Sequence, residues 1–395
     1  VGPYAVTARH TGVTIVQRRW RHTLVSGNFP QIRFRFEDGT LWDENFLGST
    51  YTDEAGTRRL IVCETGPVTT RFVWRGEVHG DPAADPPPLE WRQNRTGRTI
   101  VYADLKRLAW EKELIFYRAL DRIDVRIRLD FRGRNTEVLV GFPLRIDLHT
   151  ARALYEVPFG VAERRPYFEV PSDSPEREQA PFPLAALGGK GAWPALGWVA
   201  YQDARWGMAL ANRGTPSHRL MNGMIEVGVL RSPMRIGSGF NVPRSALENG
   251  RHTYAFALLP HLRRTALGTL SRFGAGFNAV PIVRPGRVTA AAPETRSWLE
   301  LKAPGVTFSA WKRAERGNGY VLRTYETEGK EATGSMRTAF LLARVVELDL
   351  MERPVRTAHP DRLHWRPFEI KTLLLEPTDA VSGQTRRRKK IGTGT

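Results

Sequence analysis

The chain has a single cysteine, Cys63, in 395 residues. That excludes an internal disulfide and any metal site built from several thiolates. Cys63 ends the apolar run Leu60-Ile61-Val62-Cys63, and the expectation is a buried, inert thiol on a strand. Long apolar runs are missing as well. The longest, such as residues 255–259, falls far short of the roughly 20 residues that a membrane-spanning helix needs. Sustained helical periodicity is nearly absent, and the best candidate, residues 265–273, amounts to one or two turns. No Gly-x-Ser-x-Gly elbow, Walker phosphate loop or dinucleotide fingerprint occurs. The N-terminus, Val1-Gly2-Pro3-Tyr4, lacks a basic region followed by an apolar core, so a cytoplasmic location is expected. It also lacks an initiator Met, which fits processing or a chain that begins inside a longer protein.

Basic residues are in excess. The net charge of +18 raises a nucleic-acid reading. Five of those charges sit together in Arg386-Arg387-Arg388-Lys389-Lys390, and the other arginines are scattered, as in Arg122, Arg126 and Arg128. Alternation along a strand puts such residues on one face. No recognition helix, zinc finger or aromatic-rich RNA motif accompanies them. The expectation is a solvated, arginine-rich surface with no specific nucleic acid and no membrane partner. The tail retains a nonspecific attraction for polyanions.

Period-2 patterns dominate the rest. Gln31-Ile32-Arg33-Phe34-Arg35-Phe36 alternates polar and apolar before an Asp38-Gly39 turn signal. Asp124-Val125-Arg126-Ile127-Arg128-Leu129-Asp130-Phe131 is the clearest strand, with four apolar residues on one face and four charged on the other. Arg132-Gly133 and Asn135 supply a turn, and residues 138–148 read as the antiparallel partner strand. Gly317-Asn318-Gly319 reads as a hairpin turn. Many strands at short spacing, punctuated by glycine and proline, argue for an all-β sandwich architecture. The expected division is a large β-sandwich over 1–280, a smaller C-terminal one over 281–380, and a disordered basic tail over 381–395. Residues 81–89 read as a solvated loop, and residues 171–194 as a functional loop on length alone.

Several phrases point to a family. They are Ala209-Leu210-Ala211-Asn212-Arg213-Gly214-Thr215-Pro216, then Val229-Leu230-Arg231-Ser232-Pro233, then Tyr254-Ala255-Phe256-Ala257-Leu258-Leu259-Pro260-His261. Before them stand Tyr117-Arg118-Ala119-Leu120-Asp121-Arg122-Ile123-Asp124, Val140-Gly141-Phe142-Pro143-Leu144, Tyr155-Glu156-Val157-Pro158-Phe159-Gly160 and Trp198-Val199-Ala200-Tyr201. After them come the 322–329 segment with its Tyr325-Glu326-Thr327-Glu328-Gly329 phrase and Pro367-Phe368-Glu369-Ile370-Lys371-Thr372-Leu373. In this order the phrases resemble the C-terminal β-domain of family 38 glycoside hydrolases, the retaining α-mannosidases. The resemblance covers roughly residues 100–376. It implies a galactose-mutarotase-like supersandwich followed by a smaller β-sandwich. Two departures stand out. Asp130-Phe131-Arg132-Gly133 replaces the family's Asp-Trp-x-Glu phrase, and the 235–243 loop carries no acid.

Retaining glycosidases need two carboxyl groups about 5–5.5 Å apart. The resemblance implies that these groups, and a zinc ion on His and Asp side chains, belong to an N-terminal barrel outside this chain. No catalytic residue and no metal ligand is therefore assigned here. His359-Pro360-Asp361 is a Pro-containing surface loop, and Asp147 with His149 is a surface pair, since two ligands do not make a zinc site. The resemblance places Asn212 and Arg213, with Tyr155 and Arg231, at the domain interface or the rim of a sugar cleft. The Asn212–Pro216 turn is expected to expose Asn212 and Arg213; in the plainer reading Asn212 merely caps the turn with its amide. Trp193, Trp198, Tyr201 and Trp206 are candidates for a carbohydrate platform. Trp198 and Trp206 fit a core on their strand-like runs, and Trp193, between Gly191 and Pro194, is the better exposed.

The expected function is the C-terminal portion of an α-mannosidase acting on terminal α-mannosides, inactive by itself, with the barrel as its partner. The alternatives are a stand-alone carbohydrate-binding or structural β-protein, and a polyanion-binding protein.

Overall fold

The structure is a computed structural model that describes residues 1–37, 40, 46–80, 93–94, 97–98, 104–164, 192–233, 244–279, 281–286 and 295–378. The Asp38-Gly39 turn, the 81–89 loop, the 171–194 loop up to residue 191, the 235–243 loop and the basic tail lie outside the described residues. The chain divides into two compact units. One comprises Val1–Tyr155 and Glu163–Arg263; the other comprises Glu156–Ala162 and the residues from Arg264 on.

The first unit rests on a nine-stranded antiparallel sheet. Its strands, in spatial order, are Gly160–Arg164, Arg152–Val157, Trp198–Gln202, Trp206–Asn212, Gly250–Leu262, Ile123–Arg134, Asp104–Tyr117, Thr69–His79 and Thr57–Thr65. A six-stranded sheet runs in the order Trp193–Pro194, Ser217–Met221, Met224–Ser232, Thr136–Pro143, Gln31–Glu37 and Phe46–Thr52. The N-terminal strands Tyr4–Arg9, Gly12–Gln17 and His22–Gly27 form a third, smaller sheet. Period-2 alternation builds the layers. Ile123, Val125, Ile127, Leu129 and Phe131 enter one apolar core with Ile32, Phe34, Val138, Val140, Phe142 and Val227 of the six-stranded sheet. Phe142 and Phe256 meet edge to face across it, with ring centroids 5.8 Å and 5.6 Å from Phe29 and Phe256 to Phe142. The all-β sandwich expectation is met.

The other face of the nine-stranded sheet carries ion pairs. Glu113 binds Arg71 and Arg126, Glu111 binds Arg75 and Arg128, and Arg107 reaches both Glu77 and Asp130. The alternating arginines are thus half-exposed members of a ladder that neutralises them.

Three sequence expectations need correction. Residues 138–148 do not pair with the Ile123–Arg134 strand. That strand pairs with Asp104–Tyr117 and Gly250–Leu262, whereas Thr136–Pro143 pairs with Met224–Ser232 and Gln31–Glu37 in the other sheet. Asn135, left-handed at φ 50, takes the chain from one layer to the other; its N–H donates to Ser232 and its carbonyl accepts from Glu37. A short connection normally joins antiparallel neighbours, but here both edges of each strand are occupied by others. Cys63 is exposed, because Thr57–Thr65 is the outermost strand of its sheet and bulges between Leu60 and Val62. The helix is Leu267–Asn278, twelve residues long. Gly274 and Gly276 lower its intrinsic propensity, yet it buries Gly268, Leu270, Ser271, Gly274 and Phe277 along one stripe.

In the second unit a five-stranded sheet orders Val306–Arg313, Tyr320–Glu326, Ile370–Pro377, Leu342–Leu348 and Pro354–Thr357. A three-stranded sheet orders Leu299–Lys302, Ala332–Thr338 and Leu363–Trp365. Leu322, Met336, Val345, Trp365, Leu373 and Leu375 form its core. The Gly317-Asn318-Gly319 hairpin turn forms as expected, joining the paired strands at Arg313 and Tyr320.

One polar group stands inside the first unit's core. Lys112 replaces an apolar residue on the inward face of Asp104–Tyr117. Its Nζ donates to Asp53 Oδ2 at 2.7 Å, Pro30 O at 2.8 Å and Asn28 Oδ1 at 2.9 Å. Asp53 Oδ1 accepts from Asn28 Nδ2 at 2.8 Å and Ile32 N at 3.1 Å. Burial pushes the Lys112 ammonium below its ordinary pKa, and the Asp53 carboxylate opposes that. All three ammonium protons are used, so the cluster is satisfied. Asp53→Ala leaves a buried, unpaired cation and is expected to cost about 3–5 kcal/mol in denaturant unfolding. A loss below about 1 kcal/mol, the range of exposed pairs, would contradict this account.

Candidate functional site

The Asn212 turn ends the Trp206–Asn212 strand. Asn212 is buried, not exposed, and this corrects the sequence expectation; Arg213 is exposed. The reason is chemical. Asn212 Oδ1 accepts from Thr215 N at 3.2 Å, capping the turn, and Nδ2 donates to Leu196 O at 3.3 Å. His218 completes the cluster. Its Nδ1 lies 2.7 Å from Pro216 O and must donate there, so its Nε2 is the acceptor facing Asn212 Nδ2 at 3.4 Å. The ring is neutral, and burial holds its pKa down to about 4. Gly214, at φ 80, lets the chain reverse.

Trp193 stands directly opposite His218 in the ladder between Trp193–Pro194 and Ser217–Met221. It is half-buried against the core rather than freely exposed. Arg164 explains this: its guanidinium lies 4.0 Å from the Trp193 ring centroid and 5.7 Å from that of Tyr155. Tyr155 is buried, which pushes its phenol up, and it meets the Leu220 backbone on the same strand as His218. The other platform candidates, Trp198, Tyr201 and Trp206, are core residues.

Arg231 lies elsewhere. It stands opposite Glu137 on Met224–Ser232, well past Val227, the residue that pairs with His218. Its Nε and Nη2 grip Glu37 Oε2 at 2.9 Å and 2.6 Å. Next to it Arg35 binds Glu137 at 2.6 Å, Arg33 binds Glu226 at 2.9 Å, and Arg219 lies 3.6 Å from Glu137 and 3.4 Å from Glu226. The structure therefore gathers Tyr155, Trp193 and Asn212, with Arg213 on the turn, and leaves Arg231 in a separate charge lattice. Arg164 and His218 were not singled out in the sequence. Neither carries a signal beyond its place on a short strand.

The Tyr325-Glu326-Thr327-Glu328-Gly329 phrase also has a physical meaning. Glu326 is buried, and its carboxylate accepts from four backbone N–H groups: Glu328 at 2.6 Å, Gly329 at 2.9 Å, Lys330 at 3.3 Å and Phe368 at 2.9 Å. Glu328 Oε1 accepts from Leu267 N at 2.5 Å, which caps a helix whose own N-cap, Ala266, has no side chain to do so. Gly329, at φ 68, lies under the Phe368 ring; a Cβ there would approach it to 2.6 Å.

The decoys resolve simply. His359 and Asp361 are exposed in a turn, and Asp147 caps a short 3-10 turn by accepting from His149 N at 3.0 Å. Among the described residues no three His, Cys, Asp or Glu side chains converge. No helix among them is long and apolar enough to cross a membrane.

The model of the glycosyl hydrolases family 38 C-terminal domain matches residues 92–236, and that of the family 38 C-terminal beta sandwich domain matches residues 305–373. The chain belongs to the C-terminal region of glycosyl hydrolase family 38. Alpha-mannosidase 2C1 of Mus musculus is 25% identical over 248 residues, covering 60% of this chain and 21% of that protein. Alpha-mannosidase G of Dictyostelium discoideum is 24% identical over 236 residues, covering 57% and 20%. The chain thus spans about a fifth of the length of the curated relatives it matches. A solved family 38 protein from Enterococcus faecalis shares the fold, with a TM-score of 0.73 at 14% identity over 95% of this chain and 43% of that one. An alpha-mannosidase from Enterococcus faecalis V583 does so with a TM-score of 0.71 at 15% identity, over 94% and 41%.

Two measurements check the physical roles of the buried histidines and of Glu326. His218 and His261, both buried, have pKa values lowered to about 4. The unfolded chain takes up protons near pH 6.5, so their stabilisation is whole above that pH and is lost as pH falls toward 4. At about 1.4 kcal/mol per unit, each contributes on the order of 3 kcal/mol to this slope. The melting midpoint of His218→Gln is expected to fall less steeply over that window than the parent's; parallel slopes would contradict the assignment. Glu326→Gln turns an amide toward clustered N–H donors. It should lower the stability of the second unit by about 2–4 kcal/mol, read from its unfolding transition, and an unchanged transition would rule out the role given to this carboxylate.

Proposed function

We propose that this chain is the C-terminal β-region of an α-mannosidase, which completes one wall of the active-site cleft and stabilises a catalytic barrel outside the chain. The observation that carries the reading is the pair of family 38 C-terminal matches, one in each unit and in chain order, together with relatives named as alpha-mannosidases. On this reading the retaining carboxyl pair and the zinc belong to the barrel, and the substrate is a terminal α-mannoside. Arg213 reaches the rim or domain interface from its turn. Asn212 and His218 hold that turn, and Arg164 clamps Trp193 and Tyr155 behind it. Arg231 acts at a distance, through the Glu37 lattice.

A barrel without its β-region would lose this wall, and the β-region without its barrel would lack the reacting groups. The purified chain is therefore expected to release no aryl product from an aryl α-mannoside above the buffer blank, while a polypeptide that carries the same region after a barrel does so. Turnover by the chain alone that a chelator abolishes would overturn the proposal.

A further inference from the structure

We propose, resting on the mannosidase reading, that three exposed phenylalanines of the second unit form a surface on which a catalytic barrel docks. Phe159, Phe308 and Phe368 are 43%, 50% and 60% exposed. All three stand at one end of the strand Tyr320–Glu326. Phe159 packs on Tyr325, Phe308 lies opposite Thr324 in the ladder, and Phe368 N donates to Glu326.

Two of the rings are held out against the preference of the backbone. Pro158-Phe159 is the turn between Arg152–Val157 and Gly160–Arg164. Pro367-Phe368 is the turn that Glu369 N closes by donating to Arg366 O at 3.0 Å. Proline fixes a negative φ at the first central position, and φ is 57 at both phenylalanines. This is the pattern of a type II turn, whose second central position suits glycine or asparagine, because a Cβ is crowded there. A bulky side chain kept at such a strained position points to a use for the ring. Phe308 reaches solvent differently. The ladder bulges between Phe308 and Ala310, and a bulge re-aims the side chain beside it. The supports are rigid: Phe159 meets Tyr325 edge to face at 5.8 Å, and the Phe368 ring lies over Gly329.

The surroundings suit a protein rather than a sugar. A sugar stacked on a ring also needs polar groups for its hydroxyls. The carboxylates beside these turns are already engaged, Glu326 by four backbone N–H groups and Glu369 by Arg366 N at 2.7 Å and Lys371 Nζ at 3.1 Å. Rings without polar partners are what the dry centre of a protein interface buries. Polypeptide to cover them exists in the relatives. This chain covers 43% of the solved family 38 protein whose fold it shares, and about a fifth of the curated alpha-mannosidases. The occupant is the barrel.

The test is hydroxyl-radical footprinting of the chain alone and of a polypeptide that carries the same region after a barrel. In the chain alone the three rings should be oxidised readily. After a barrel their oxidation should slow at least about fivefold, as for side chains at the centre of an interface. Footprinting reads docking whether or not mannoside is turned over, so failure of the mannosidase reading shows separately, as absent turnover. Rings oxidised equally in both overturn the docking surface. Rings already protected in the chain alone do so too, since a segment of this chain then covers them. A paired substitution adds a second readout. Phe159→Gly with Phe368→Gly relieves both turns, so the melting midpoint of the chain alone should hold or rise. In the barrel-bearing polypeptide the same change should shorten the half-life of turnover on heating at least about fivefold. Should the glycine variant melt early, Phe159→Asn with Phe368→Asn is read instead, because asparagine tolerates the left-handed backbone. An unchanged half-life in the variants overturns the proposal.

Discussion

The Lys112–Asp53 pair is the constraint on which the large sandwich depends. A strand that otherwise presents Leu108, Trp110, Leu114 and Phe116 to the core presents an ammonium in their midst. Such a charge is tolerated only where every proton finds an acceptor. Asp53, Asn28 and the Pro30 carbonyl supply them, and Asp53 in turn holds Ile32 N at the start of a strand of the opposite sheet. The two layers are therefore keyed to one register. Apolar packing alone tolerates sliding; a buried ion pair with fixed partners does not, which is the specificity role proposed for such groups.

The same logic recurs wherever the chain turns. Asn212 with His218, and Glu326 with its four N–H donors, are buried polar groups that replace water for backbone atoms of a bend. Phrases that mark the family are thus partly explained by architecture. Asn212 is a cap before it is anything else. Arg213, one residue on, is the exposed side chain that the cap holds in place.

Charge follows a third rule. A net charge of +18 suggests an open basic surface, yet on the outer face of the nine-stranded sheet the arginines are spent on Glu111, Glu113, Glu77 and Asp130. On the six-stranded sheet Arg33, Arg35, Arg219 and Arg231 are bound to Glu37, Glu137 and Glu226. Total charge therefore says little about where an anion would dock.

Period-2 alternation in Asp124-Val125-Arg126-Ile127 and its like determined the strands, their inward faces and the all-β class by itself, because strand periodicity is a local property. Ordered phrases such as Tyr325-Glu326-Thr327-Glu328-Gly329 sufficed for kinship. Which strands pair was decided only by tertiary structure. The Asn135 bend reads as a hairpin locally, and it becomes a crossing between layers because other strands flank each of the two it joins, Asp104–Tyr117 and Gly250–Leu262 in one sheet, Met224–Ser232 and Gln31–Glu37 in the other. Exposure of Cys63 and the Arg164 clamp on Trp193 are of the same kind. Each depends on what stands across a sheet or beside an edge, and no window of sequence contains that neighbour.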